Sequence, residues 1–185
     1  MIIGLIMGKI AFYEEDVRLR YMKRIPARSS LMRVLDCLGC LCGEINYIFC
    51  SDGYLYQMNR EYLNHDTLTD IITFDYTSEN FENQIGFEFV QGFPNPLPNM
   101  CGEKLSSKRK TISGDIYISL DRVRENAEKF HVEQIDELNR VMVHGILHLA
   151  GYKDKEPAEE KRMHYMEDQM LAACFSGYEH LRHDD

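Results

Sequence analysis

Residues 143–154 read VHGILHLAGYKD, and the interpretation of the whole chain starts from this segment. Apart from two histidines, positions 141–150 carry small or apolar side chains, which is typical of a helix buried on nearly all sides. His144 and His148 are four residues apart, so both imidazoles leave the same face of that helix. Because burying an unpaired polar group costs about 1–3 kcal/mol, the two rings need a partner, and a single metal ion is one that both can hold.

The end of this helix supplies a third ligand. Gly151 follows the apolar run, where a left-handed residue would end the helix and reverse the chain. We expect the reversal to bring Asp154 towards the two imidazoles. Three ligands with one open position are the arrangement of catalytic zinc, so the sequence predicts one Zn²⁺ held by His144, His148 and Asp154, with other divalent metals as alternatives. Two core histidines satisfied by hydrogen bonds are the competing interpretation.

The spacing H-x-x-x-H-x-x-G-x-x-D also resembles the motif of zinc proteases. In those enzymes the residue after the first histidine is a glutamate that acts as the general base. Gly145 stands at that position here. The sequence therefore predicts a metal site and argues against peptidase chemistry of that type.

The bulk properties of the chain indicate one soluble domain spanning residues 1–185. The formal net charge of −9 argues against broad electrostatic binding to nucleic acid, although a local basic patch is compatible with it. The apolar residues 1–7 are too short for a membrane span or a signal core, so we expect a cytoplasmic protein with no membrane association. The six cysteines lack a second C-x-x-C pair, which favours small buried thiols in a reducing compartment.

Hydrophobic periodicity predicts four strands and five helices. The expected strands are 9–14, 45–50, 69–74 and 114–119, and the expected helices are 26–42, 54–63, 120–130, 132–151 and 157–174. Ser51 or Asp52 is expected to cap the second helix and Ser119 the third, and Pro157 suits the first turn of the last. Strands separated by helices and followed by a run of helices predict an α+β fold, with a mixed sheet of about four strands and helices packed against it.

Residues 77–112 interrupt this pattern. They hold three of the five prolines, together with a basic run of Lys104, Lys108, Arg109 and Lys110. We expect a long insertion that is disordered or forms a mobile hairpin, and contact with nucleic acid is the alternative. Residues 176–185 are expected to be a frayed tail, and we assign them no role.

Three separated segments carry a family resemblance. Residues 59–74 resemble N-x-x-[YF]-R-x-x-[DN]-x-P-T-D-V-L-S-F, residues 114–119 match G-D-I-x-I-S, and residues 144–154 match H-G-x-L-H-L-x-G-[YF]-D-H up to its last two positions. In this order the segments resemble the YbeY family of metal-dependent endoribonucleases, also called rRNA maturation factors. The resemblance extends over roughly residues 44–172 apart from the insertion, and it implies a zincin-like metal helix.

The resemblance implies the same metal ligands, with one departure. The third ligand of the family is usually histidine, whereas this chain has Asp154. A carboxylate oxygen binds zinc at a similar distance, so the site is expected to persist, but the anionic ligand should make the ion less electrophilic. His164, ten residues further on, is a rival third ligand.

A second departure concerns catalysis. Leu63 occupies the position of an arginine that is thought to help the family cleave RNA, and Leu68 replaces the usual proline. Arg60 lies one helical turn before Leu63 and is the candidate to supply the positive charge in its place. Without such a charge, stabilisation of the phosphorane-like transition state is weakened.

The predicted mechanism is metal-assisted hydrolysis of an RNA phosphodiester bond. The predicted catalytic residues are His144, Arg60, Asp70 and Asp115. Either aspartate is expected to orient an imidazole by accepting its second N–H or to position water. The alternatives are structural: a cap or turn contact for Asp70, and a contact that holds the start of the fourth strand for Asp115.

The resemblance also implies a biological role and partners. It suggests a single-strand-specific enzyme that acts on ribosomal RNA in 3′-end maturation of 16S rRNA and in ribosome quality control, in contact with ribosomal proteins or an assembly GTPase. Two other classes of function stay open. One is a ribosome assembly factor with a structural metal and no turnover, and the other is a zinc hydrolase acting on a different substrate.

Overall fold

The structure, a computed structural model, describes residues 8–18, 28–63, 66–77 and 109–175. Its strands are β1 (Lys9–Glu14), β2 (Leu41–Cys50), β3 (Ile71–Asp75) and β4 (Thr111–Ser119), and its helices are α1 (Arg28–Cys37), α2 (Asp52–Leu63), α3 (Leu120–Phe130), α4 (Gln134–Ala150) and α5 (Pro157–Cys174).

The four strands form one mixed sheet in the order β1-β2-β4-β3. β1 is parallel to β2, and β2 is parallel to β4. β3 runs antiparallel to β4 and lies at an edge of the sheet. The predicted α+β class, with a mixed sheet of about four strands, is confirmed. None of the described helices is both long and apolar enough to cross a membrane.

The two faces of the sheet carry different helices, because successive side chains of a strand point to opposite faces. Ile116 and Ile118 of β4 belong to the large core that contains residues of α1, α4 and α5. Tyr117, which lies between them, packs instead in a small cluster with Leu55 of α2 and Ile72 of β3. We call these the deep face and the shallow face.

Helix α4 lies very close to the deep face. A Cβ atom added at Gly145 would lie 2.8 Å from Cγ2 of Ile116, and one added at Gly114 of β4 would lie 2.6 Å from Cδ2 of Leu149. The Tyr47 hydroxyl, fully buried in β2, donates a hydrogen bond of 3.0 Å to the carbonyl of Met142. Two glycines and one buried hydrogen bond therefore fix the helix that carries the histidine pair against the sheet.

The predicted helix ends are largely confirmed. Ser119 caps α3 by accepting a hydrogen bond from the backbone N–H of Arg122, and Gly151 ends α4 with a left-handed φ of 103°. Ser51, the first of the two proposed caps for α2, accepts a hydrogen bond of 3.2 Å from the backbone N–H of Tyr54. The last helix begins at Pro157, as expected.

The first predicted helix is too long. It was expected over 26–42, but α1 ends at Cys37, and β2 begins at Leu41 instead of residue 45. The reason is Gly39, which adopts a left-handed φ of 69° and donates its backbone N–H to the carbonyl of Asp36. The backbone N–H of Leu41 then donates to the carbonyl of Lys110, so the apolar residues after the turn join the sheet.

Smaller differences affect the other boundaries. β3 begins two residues later than expected, α4 begins at Gln134, and β4 begins at Thr111 inside the predicted insertion. Arg109 and Lys110 of the basic run are described: Arg109 pairs with Asp36 at 2.7 Å, and Lys110 donates to the carbonyl of Leu149 at 3.2 Å. The predictions for 78–108, which include Lys104 and Lys108, and for 176–185 lie outside the described residues.

The described cysteines are free thiols, as predicted. Cys40, Cys50 and Cys174 are buried, and Cys37 and Cys42 are partly buried. Cys101 lies outside the described residues. That residues 1–185 form a single domain stays a prediction.

Candidate metal centre

Three side chains converge where α4 ends. Nε2 of His144 lies 2.8 Å from Nε2 of His148, and each of these atoms lies 3.5 Å from Oδ2 of Asp154. The two imidazoles leave one face of α4, and the left-handed Gly151 turns the chain so that Asp154 returns to them. The three side chains are partly exposed, so solvent and a substrate can reach them. Of the described residues, these three form the one group with metal-ligand geometry.

The hydrogen bonds of the other ring nitrogens fix where the protons lie. Nδ1 of His148 is 3.1 Å from the carbonyl of Tyr152, which only accepts, so Nδ1 carries the hydrogen. Nδ1 of His144 is 2.7 Å from Oε1 of Glu167, and an ionised carboxylate also only accepts. In their neutral forms both histidines therefore present an Nε2 lone pair to the same point.

Glu167 is ionised although it lies in the core. It reaches the site from α5, and its side chain is 2% exposed. Burial acts to raise the pKa of the Glu167 carboxyl, but hydrogen bonds from His144 and His164 and the charge of Arg140 hold that pKa well below its ordinary value. Arg140 lies one turn before His144 on α4, and its Nη1 is 3.0 Å from Oε2 of Glu167.

The pKa directions of the two imidazoles differ. Burial acts to lower the pKa of His144, but the Glu167 hydrogen bond and the nearby charges of Asp70 and Asp154 raise it overall. Burial, followed by the adjacent His144, lowers the pKa of His148. Two lone pairs and a carboxylate this close together repel one another unless a positive charge lies between them. A positive charge at this point, from a proton or a metal cation, removes that repulsion.

The three atoms also fit a metal cation. The point in their plane that is equidistant from the three atoms lies about 1.9 Å from each, and points just off that plane reach the zinc–nitrogen and zinc–oxygen distances of roughly 2.0–2.2 Å. The hydrogen bonds made by Nδ1 of each histidine hold both imidazoles in the tautomer that a metal ligand requires. The donor set, two imidazole nitrogens and one carboxylate oxygen, suits zinc and related divalent ions.

His164, the rival third ligand, points to a different partner. Its Nδ1 lies 3.4 Å from Oε2 of Glu167, on the side of that carboxylate away from the His144 contact, and its side chain is half exposed. His164 is therefore outside the three-ligand group, in which Asp154 takes the third place.

The remaining predicted catalytic residues are not drawn together at this site. The carboxylate of Asp70 accepts a weak hydrogen bond of 3.4 Å from Asn126, and its carbonyl accepts the backbone N–H of Ser119, which is a structural contact at a turn. Its charge is still close enough to act on the pKa of His144. Asp115 is on the shallow face, where it accepts hydrogen bonds from Asn46 and Tyr76.

Arg60 contacts other partners. Its side chain is 62% exposed on α2, where Nε is 3.9 Å from a carboxylate oxygen of Asp66 and the guanidinium lies over the ring of Tyr56. Thus neither Arg60 nor the two predicted aspartates contact an imidazole among the described residues. Glu167 and the Tyr152 carbonyl do so, in the orienting role that was expected of Asp70 or Asp115.

The sequence contained a signal for Glu167. On α5 it stands among Met163, Met166 and Met170, which form the buried stripe of that helix. A carboxylate in such a stripe requires a buried partner. Arg140, four residues before His144 on α4, is that partner, but the pair was not predicted from the sequence.

Comparison with known proteins identifies the family. The sequence model of the family described as endoribonuclease YbeY matches residues 19–174. The chain belongs to the YbeY family. The resemblance inferred from the three sequence segments is thereby confirmed.

Curated YbeY relatives match over most of their length. The endoribonuclease YbeY of Parabacteroides distasonis is 40% identical over 163 residues, which cover 88% of this chain and 94% of the relative. That of Flavobacterium psychrophilum is 48% identical over 129 residues, 70% of this chain and 71% of the relative. A solution structure from Thermotoga maritima matches with a TM-score of 0.51 and 21% identity, covering 89% of this chain and 91% of that one, and this likeness concerns the fold.

Proposed function

We propose that this protein is a metal-dependent endoribonuclease in which His144, His148 and Asp154 hold one Zn²⁺. The observation that carries the proposal is the convergence of two imidazole nitrogens, both without a proton in the neutral rings, and one carboxylate oxygen within 3.5 Å of one another. Membership of a family named for endoribonuclease activity supports RNA as the substrate. Two nitrogen ligands and one oxygen ligand with an open position support zinc.

The chain's own residues prepare the site. When bound, the ion supplies Lewis acidity to the phosphodiester and makes water more acidic. His144 and His148 are held rigid on a buried helix, so their lone pairs are aimed before substrate arrives. Asp154 brings a negative charge, which we infer makes this site less electrophilic than one with three histidines. Asp70 stays a candidate for positioning water, because its charge acts on His144.

The proposed biological substrate is single-stranded ribosomal RNA, in 3′-end maturation of 16S rRNA and in ribosome quality control. We further propose a cytoplasmic location and docking through ribosomal proteins or an assembly GTPase. The net charge of −9 supports docking by a protein partner, since an acidic chain gains little from general attraction to phosphates.

The test combines metal content with cleavage. Purified protein with Zn²⁺ should cut a 16S precursor carrying a single-stranded 3′ extension, and His144→Ala should abolish cleavage while remaining folded. His131→Asn is the matched control, because His131 ends α3 with a left-handed φ of 55° that asparagine tolerates, and it lies outside the ligand group. Cleavage that survives in His144→Ala, or protein that binds no divalent metal, contradicts the proposal.

A second function, an assembly factor with a structural metal, is favoured by one observation: Leu63 replaces the usual arginine. The variant Leu63→Arg decides between them. An enzyme lacking a helpful charge should gain at least about tenfold in cleavage rate, since a single group that stabilises transition-state charge contributes roughly 100- to 1000-fold elsewhere. Ribosome binding by both wild type and His144→Ala, with no cleavage by wild type or Leu63→Arg, supports the assembly factor.

A peptidase remains disfavoured on structural grounds. The position where zinc proteases carry their glutamate is Gly145, which faces the sheet: an added Cβ would lie 2.8 Å from Ile116 Cγ2 and 3.1 Å from Ile71 Cδ1. A longer side chain there would meet the core.

A further inference from the structure

Glu167 is a buried charged group in direct contact with His144, and it is not one of the three proposed ligands. It lies on α5 in a stripe of methionines, and its side chain is 2% exposed. A carboxylate in such surroundings is unfavourable unless charged partners and hydrogen bonds compensate for the lost water. Glu167 therefore requires an explanation beyond packing.

Both carboxylate oxygens of Glu167 are occupied. Oε1 lies 2.7 Å from Nδ1 of His144. Oε2 lies 3.0 Å from Nη1 of Arg140 and 3.4 Å from Nδ1 of His164. Nη2 of Arg140 is in turn 2.7 Å from a carboxylate oxygen of Asp168, the residue after Glu167. The guanidinium thus holds the carboxylate from one side, so that its other oxygen faces the imidazole.

We propose that Glu167 is a positioning residue of the metal centre, which keeps His144 protonated at Nδ1 and thereby presents its Nε2 lone pair to the ion. This inference rests on the proposed function, because it assigns Glu167 a role towards the metal proposed there. Nδ1 can give its hydrogen to an ionised carboxylate but not receive one from it. The tautomer with the hydrogen on Nε2, which cannot bind metal, loses this hydrogen bond and is disfavoured.

The two imidazoles are supported unequally. His148 donates its Nδ1–H to the neutral carbonyl of Tyr152 at 3.1 Å, whereas His144 donates to a charged group at 2.7 Å. A charged acceptor increases the basicity of the ring as a ligand, and loss of such a partner typically weakens metal binding about 10- to 100-fold. His144 is therefore the stronger nitrogen ligand, and Glu167 is the reason.

A purely structural role is the alternative, since the Arg140–Glu167 pair also joins α4 to α5. The variant Glu167→Gln separates the two roles, because glutamine keeps the size but no longer has to accept a hydrogen: its amide can donate to Nδ1 and favour the wrong tautomer. Glu160→Gln is the matched control on the same helix, where the exposed carboxylate lies 3.9 Å from His164.

The experiment is a competition titration of Zn²⁺ between the full chain and a chelator of known affinity. We expect the wild type and Glu160→Gln to bind equally and Glu167→Gln to bind about 10- to 100-fold more weakly. In the metal-free protein, at a pH where both rings are neutral, long-range ¹H–¹⁵N correlation spectra should show His144 protonated at Nδ1 in wild type. Glu167→Gln should populate the Nε2–H form.

A second variant covers the case in which Glu167→Gln does not fold. The double variant Arg140→Met/Glu167→Met removes the whole buried ion pair, a change that proteins often tolerate, and leaves His144 without its acceptor. It should show the same loss of Zn²⁺ affinity as Glu167→Gln.

The outcomes are distinguishable. Wild-type affinity and an unchanged His144 tautomer in both variants overturn the positioning role, even if the metal-free protein melts at a lower temperature. A wild type that binds no Zn²⁺ overturns the proposed metal centre, and this inference with it.

Discussion

The deep and shallow faces of the sheet differ in what they bury. On the deep face, β2 and β4 lie beneath α1, α4 and α5, and the core there extends from Ile10 to Phe175. On the shallow face, the cluster of buried apolar residues among those described consists of Cys50, Leu55 and Ile72. The histidine pair and its buried ion pair belong to helices of the deep face. The side chains of the proposed metal centre, which must keep one geometry, are thus held by the more extensively packed face of the sheet.

The shallow face instead carries a row of aromatic rings that leads out to solvent. Tyr54 stacks on Tyr117 at 6.4 Å, Phe74 meets Tyr117 edge-on at 5.8 Å, and Tyr62 meets Phe74 edge-on at 5.8 Å. Tyr62, at the outer end, is 64% exposed. The contrast leads to four predictions, each of which compares the response of the deep face with that of the shallow face.

The largest single effect is expected from shortening a buried leucine on each face. Leu147 and Leu55 are both fully buried, Leu147 in the large core and Leu55 in the small cluster. Leu147→Ala should cost about 4–5 kcal/mol and Leu55→Ala about 2–3 kcal/mol, because a cavity in the small cluster collapses more easily. Urea unfolding of the metal-free proteins measures both. Equal costs would show that the faces are packed alike.

Metal should stabilise the deep face selectively. Zn²⁺ at 100 times its dissociation constant should add about 2.7 kcal/mol to the free energy of unfolding. Amide hydrogen exchange should slow at the end of α4 but not in the last turn of α2, since the proposed ligands lie on and just after α4. Asp154→Asn is the control, and it should lose most of the effect. Uniform protection of both helices would count against a local metal centre.

Two helical glycines show how much space surrounds α4 and α2. A Cβ at Gly145 would lie 2.8 Å from Ile116 Cγ2, whereas at Gly53 of α2 the nearest contact would be Ser51 Oγ at 3.7 Å. Gly145→Ala should destabilise by about 1–2 kcal/mol, because overpacking outweighs the gain in helix propensity. Gly53→Ala should be neutral or stabilise by up to about 1 kcal/mol. Thermal melts of both variants measure this, and a stabilising Gly145→Ala would refute the close approach.

The smallest difference concerns two tyrosine hydroxyls. Tyr47→Phe leaves the carbonyl of Met142 without its buried donor and should cost about 1 kcal/mol. Tyr76→Phe removes a hydrogen bond to Asp115 from a ring that is mostly exposed and should stay within about 0.5 kcal/mol. Chemical denaturation resolves the two, and a larger cost at Tyr76 would mean that the shallow face is better shielded than its exposure indicates.

Local patterns were sufficient for most of the fold. Apolar spacing, together with Ser119, Gly151 and Pro157, located the last three helices to within two residues at their ends. The predicted end of the first helix was wrong, for a reason that the spacing of apolar residues does not reveal. Leu38 and Leu41 continue its periodicity, but Gly39 turns the chain, and Leu41 finds a partner in Lys110, about 70 residues away.

The site shows the same division between local and distant information. The arrangement of His144, His148 and Asp154 follows from one helical turn and one glycine, so the sequence predicted their convergence. That they bind metal stays a prediction. Glu167 was missed because it comes from another helix, and only the packing of α5 on α4 brings it to His144. The alternation of side chains along β4 places Asp115 on the face opposite Ile116. The sequence does not say which helix covers which face, so it could not show that Asp115 lies on the other side of the sheet from α4.

The three proposed ligands are attached to the chain in different ways. Two belong to a helix locked against the sheet, while Asp154 follows Gly151 on a short irregular segment. We infer that an ion bound there would be released by movement of this segment alone, with the core intact. The lifetime of a bound ion would then depend on the few residues after the helix, and one metal would exchange for another without unfolding of the chain.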